Sequence, residues 1–135
     1  MVTAIVKYEG ELRTSMTHLF SSSTVGTDAP LDNRGLAQLF SPTDLVAAAL
    51  GSCMLTIMGI KARDMNLAIE GTTADVTKVM ASDPRRISTI KVTIKFPEGN
   101  FSESEKKILQ NAAMACPVAK SLHPDIHQDV SFVWH

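Results

Sequence analysis

The stretch from Ser41 to Met65, SPTDLVAAALGSCMLTIMGIKARDM, constrains the fold more than any other part of the chain. It carries no charge between Asp44 and Lys61, so a helix built from it is apolar all round and needs cover on every side. Its start is set locally. The Ser41 hydroxyl can accept from the unpaired backbone donors of the first turn, Asp44 can reach back to complete a capping box, and Pro42 falls at the first helical position, where a missing N–H costs nothing. Gly51, Ser52 and Gly59 interrupt the run and its ends are polar, so it reads as a helix covered by protein rather than as a membrane span. Gly51 and Ser52 also mark a place where the helix can kink, directly before the cysteine near its middle, Cys53.

A chain of 135 residues suits a single domain, residues 1–135, burying roughly two-thirds of its unfolded surface. The formal net charge of −1 gives no basic excess, which argues against nucleic acid or anionic membrane as a partner. MVTAIVKYEG runs at once into charged and polar residues, without the sustained apolar core of a signal peptide, so a cytoplasmic protein is expected. Two cysteines in that setting read as free thiols or a redox pair rather than as a structural disulfide.

Alternation and β-branching predict a strand over Val2 to Tyr8. A turn at Glu9 to Glu11 leads to its hairpin partner over Leu12 to Phe20, and Thr24 to Asp28 extends the meander. Ala29 to Phe40 turns to Pro, Asp, Asn, Arg and Gly and reads as a loop that carries Arg34 to the cap at Ser41. Beyond the helix, Leu67 to Met80 and Arg86 to Phe96 form a second hairpin around the turn Ser82-Asp83-Pro84-Arg85. Ser102 and Glu105 make another capping box, opening a helix through Ile108, Leu109, Ala112, Ala113 and Ala115. Pro117 cannot continue that helix, so Cys116 lies at a break and Pro117 to Leu122 makes a short further turn. His127 to Trp134 closes the chain as a strand. The order points to an α+β domain with helices packed on mostly antiparallel sheet.

Cys53 and Cys116 are too far apart in sequence for a CxxC motif, and His18, His123, His127 and His135 lack the spacing of a metal site. A free cysteine in an apolar helix is ordinarily an inert core residue, because burial raises a thiol's pKa whereas reactivity requires the thiolate. A reactive Cys53 therefore needs a cation facing it. The helix dipole acts only over the first turn and Cys53 is three turns in, which leaves a side chain such as Arg34 or Arg13 as the source; either arginine is equally readable as an ordinary surface residue.

SPTDLVAAALGSC, followed much later by ACPVAKSL, resembles the paired cysteine motifs of the OsmC/Ohr superfamily, the osmotically inducible and organic-hydroperoxide-resistance proteins. The TDAP segment at Thr27 to Pro30 and the order of hairpins and helices extend the likeness over essentially the whole chain, nearest to the broad OsmC-like branch. The resemblance implies antiparallel sheets packed around long central helices in an intertwined homodimer, which would cover the apolar faces of Ser41 to Met65. It also implies that Cys53 attacks a hydroperoxide to become a sulfenic acid and that Cys116 resolves it as a disulfide. No bound cofactor is implied; an external dithiol of the dihydrolipoamide type, free or on a lipoyl protein, would regenerate the thiols. Peroxidase relatives hold the thiolate with an arginine, for which Arg34 is the best match with Arg13 in reserve. They orient that arginine with a glutamate whose position is occupied here by Thr43. The nearest carboxylate, Asp44, lies about 180° round a straight helix from Cys53 and roughly 13 Å along it. Asp44 would therefore act through Arg34, through a kink or through a partner subunit, or else serves only as the helix cap.

The leading expectation is a thiol-dependent peroxidase for organic hydroperoxides, with hydrogen peroxide as a secondary substrate, in oxidative stress defence, with Met54, Ile57 and Met58 lining an apolar site. The alternative is a non-peroxidatic dimer of the same family that binds a small apolar ligand or acts on another thiol or sulfur substrate. A structural dimer with two inert cysteines is the third reading.

Overall fold

Three short strands open the computed structural model, which describes residues 1–135: β1 (Ala4–Gly10), β2 (Arg13–His18) and β3 (Thr24–Asp28). They pair antiparallel in the order β1-β2-β3. Glu11 and Leu12 link the first two, both at positive φ, as a two-residue turn whose twist matches the strands demands. By backbone contacts this sheet and the loop that follows form one compact unit, Met1–Leu45, and Val46–His135 forms a second. The first unit has almost no apolar interior. Ile5, Val6 and Tyr8 are more than half exposed, and its buried residues are the polar Thr27, Asp28 and Ser41.

The loop between Asp28 and the helix contains a single 3-10 turn, Leu31–Asn33. Its closure requires Gly35, where a Cβ would fall 1.7 Å from the Ala29 carbonyl oxygen. Helix α1 (Pro42–Asp64) starts as its sequence specifies: Asp44 N–H donates to the Ser41 hydroxyl at 3.1 Å and Ser41 N–H to the Asp44 carboxylate at 3.0 Å. The helix runs unbroken through Gly51 and Ser52. By length and composition alone it would suffice to cross a membrane. In the fold it belongs to a core instead: Ala47, Leu50, Met54 and Met58 form a buried stripe at three- and four-residue spacing.

That core lies in the second unit, which contains β4 (Thr73–Ala81), β5 (Arg86–Lys95), α2 (Glu103–Met114), α3 (Pro117–Ser121) and β6 (His127–Val133). Strand β5 is central in the order β4-β5-β6, and its Ile87, Ile90, Val92 and Ile94 are buried. The step of three from Ile87 to Ile90 breaks the two-residue alternation because the register with β4 shifts between Val79 and Met80. Ser88 is the extra residue of that bulge, its hydroxyl donating to the Val79 carbonyl at 3.1 Å.

Two features differ from the sequence expectation. The strand expected from Leu67 begins only at Thr73, because Leu67 N–H is bonded back to the Ala62 carbonyl and Ile69 to Thr72 form a turn, Thr72 N–H and the Thr72 hydroxyl both donating to the Ile69 carbonyl, with Gly71 at φ +89°. The last strand pairs parallel to β5, since α2 and α3 return the chain to the end of the sheet where β5 began. Elsewhere the local signals hold: Ser102 and Glu105 form the reciprocal capping box that opens α2, and Leu109 and Ala113 are its buried face.

Candidate functional site

Both cysteines are free thiols in the second unit. Cys53 projects from α1 and is partly buried against the core, whereas Cys116 is completely buried. Pro117 determines the second position. It ends the backbone path of α2 and starts α3, leaving Cys116 as N-cap in an extended conformation with its sulfur accepting from Ala119 N–H at 3.3 Å. Residues far apart in sequence are thereby brought near enough to interact, for Cys53 is among the groups that raise the pKa of the Cys116 thiol.

Burial pushes the Cys116 thiol above the ordinary thiol pKa; donation from Ala119 N–H opposes the rise, and the neighbouring Cys53 thiol adds to it. Cys116 is the fully buried thiol of the two and Cys53 the one with an open side. The shift carries a stability consequence of definite sign. A thiol whose pKa is higher folded than unfolded contributes stability that is intact below the unfolded thiol pKa and is lost as pH rises from there toward the folded value. Denaturant titrations of the reduced protein should therefore show stability falling through the alkaline thiol range, and Cys116→Ala should flatten that fall.

The arginine that the structure engages is Arg13. Its guanidinium pairs with Asp28 at 3.4 Å and donates to the Gln38 side chain. Asp28 is 1% exposed and also accepts from Gln38 N–H at 3.0 Å. Arg13 and Asp28 are direct cross-strand partners in the β2–β3 register. Arg34 stands at the left-handed end of the 3-10 turn, exposed. Both arginines line one cavity of about 500 Å³ together with Glu9 and Glu11, which leaves its lining without excess charge. Asp44 serves in the Ser41 capping box, and the Thr43 hydroxyl lies 3.2 Å from that of Ser41. Asp28 is the functional candidate that the sequence reading missed, although opposed charges at the end of an expected hairpin were a usable signal for it. No cluster of three or more His, Cys, Asp and Glu side chains is placed to hold a metal ion.

Two three-stranded sheets, a long apolar helix and two free cysteines, one buried and one more open, define the class of protein. The chain belongs to the OsmC-like protein family, whose model matches residues 35–131. It is 56% identical to a proposed osmotic stress induced and detoxification response protein from Psychrobacter arcticus 273-4, over 98% of this chain and 96% of that one, with a TM-score of 0.93. The fold is shared at low identity with an organic hydroperoxide resistance protein OsmC from Legionella pneumophila, at 14% identity, 98% coverage of both chains and a TM-score of 0.76. The organic hydroperoxide resistance protein OhrB of Bacillus subtilis shares it at 17% identity, 97% and 98% coverage and a TM-score of 0.70. No curated protein matches the chain.

Proposed function

We propose that the protein is a dithiol hydroperoxide reductase that prefers organic peroxides. The observation carrying this reading is the juxtaposition of a partly open Cys53 and a fully buried Cys116 whose thiol pKa is raised by burial and by Cys53. The Cys53 thiolate attacks the distal peroxide oxygen, the O–O bond breaks, and the alcohol leaves after taking up a proton, with Cys53 left as the sulfenic acid. The Cys116 sulfur then displaces hydroxide, which departs as water with the proton that Cys116 gives up. The sum is ROOH plus two thiols giving ROH, water and one disulfide. An external dithiol of the dihydrolipoamide type reduces that disulfide by exchange. The apolar surroundings, with Met54 and Met58 buried and Ile57 half-buried beside Cys53, suit an alkyl peroxide better than a polar one. Functional assembly is a homodimer: Ile5, Val6, Tyr8, Val46 and Ile60 are apolar and exposed, and a second chain would cover them.

Addition of cumene hydroperoxide to the reduced protein should produce, within the first turnover, an intramolecular Cys53–Cys116 disulfide detectable by mass spectrometry. Survival of both thiols under excess peroxide would refute the reading. Thr43, standing where peroxidase relatives carry glutamate, favours a second one: a member of the family that binds a small apolar ligand or acts on another thiol or sulfur substrate. That reading takes over if the thiols bridge with a disulfide donor but not with a peroxide.

A further inference from the structure

Gly51 lies two residues before Cys53, on the face of α1 buried against β4. A Cβ at this position would stand 2.8 Å from Val76 Cγ2 and 3.6 Å from Ala74 Cβ, both on β4. The first distance is shorter than side-chain packing permits, so only a glycine lets the helix sit this close. Relief would not come easily from Val76, whose β-branched side chain has restricted χ1 freedom. The helix would have to lift or turn. Gly59, two turns further on, has nothing within 4 Å of its missing Cβ, so the close approach is local to the level of Cys53.

The partner thiol cannot follow such a movement. Cys116 is fixed at a helix start by Pro117, by Ala119 N–H on its sulfur, and by complete burial. The two sulfurs are therefore carried by separate supports, one tied to α3 and the other dependent on how closely α1 approaches β4. Bond formation between sulfurs tolerates little error in separation or direction, because a disulfide holds its Cβ atoms about 3.8 Å apart with a dihedral near 90°.

From this we infer that Gly51, seated on Val76, is a positioning residue that sets the spacing of the Cys53–Cys116 pair. The inference rests on the pair acting together, as proposed above, but its test is independent of peroxide. A bifunctional alkylating reagent, dibromobimane, bridges neighbouring thiols without any redox step, and the reduced protein should be bridged between Cys53 and Cys116. Gly51→Ala should slow bridging by about tenfold or more, as displacements of around an ångström do to reacting groups. The rate of single alkylation of Cys53 by iodoacetamide should change far less. In Gly51→Ala/Val76→Ala, which removes the obstructing methyl, bridging should return to the rate of Val76→Ala alone.

Bridging as fast in Gly51→Ala as in the wild type would overturn the inference, as would a double variant no faster than Gly51→Ala. If Gly51→Ala does not fold, the double variant decides: folding with normal bridging supports the contact, and failure of either shows that glycine is needed for another reason. A wild type bridged in a Gly51-dependent way that forms no disulfide with peroxide would sink the peroxidase reading while leaving this inference standing.

Discussion

Cys53→Ser is expected to reduce peroxide consumption by on the order of 10³-fold or more, while Cys116→Ser leaves the first attack intact and stops the cycle after it. The two substitutions separate because the thiols sit differently. On the proposed mechanism a hydroperoxide would reach Cys53 from its open side, whereas Cys116, completely buried and with its thiol pKa raised, would enter the chemistry only once Cys53 carried a sulfenic acid. In Cys116→Ser that sulfenic acid has no resolving thiol and should be trapped by dimedone with a stoichiometry near one per chain. In Cys53→Ser no dimedone adduct should form, and Cys116 should stay reduced. Peroxide turnover unchanged in Cys53→Ser would show that the nucleophile lies elsewhere. Equal and complete loss of the first oxidation in both variants would show instead that Cys116 supports the attack itself.

What the sequence made legible was local. Both capping boxes, at Ser41 with Asp44 and at Ser102 with Glu105, depend on residues three apart, and both form as read. Pro117 announced its break for the same reason, since it acts on its own turn. The start of β4 was misplaced because Leu67 and Ile69 look like strand residues, while the turn that holds them depends on Gly71 and the Thr72 hydroxyl. Parallel pairing of β6 is set by where α2 and α3 deliver the chain, which no feature within His127 to Trp134 encodes. The site divides along the same line. The resemblance paired the cysteines, but their approach depends on packing between α1 and the start of α3, and no local rule supplies that. Of the two candidate arginines, Arg34 is exposed on the loop, and Arg13 pairs with Asp28, a neighbour only across the strands.

The other large effect concerns the helix that the sequence described as apolar all round. Such a pattern does not say which face enters the core, and the structure chooses Ala47, Leu50, Met54 and Met58. Leu50 is wholly buried in the same cluster as Ile90, Val92 and Ile94 of the central strand, whose positions are fixed by pairing on both sides. Leu50→Ala removes three carbons from a place that cannot collapse, so it should lower the unfolding free energy by about 2–5 kcal/mol. Ile60 makes the contrast. It lies on the same helix but is 55% exposed, and any cover for it must come from a second chain. Loss at Leu50 should be the same at every protein concentration, whereas loss at Ile60→Ala should appear as a changed dependence of stability on concentration. Denaturant melts at several protein concentrations measure both. A Leu50→Ala loss below about 1 kcal/mol would mean that the surroundings repack around the smaller side chain, against the rigidity ascribed to β5. A concentration-independent effect at Ile60 would remove the need for a partner on that face of α1, and with it the main physical support for the homodimer.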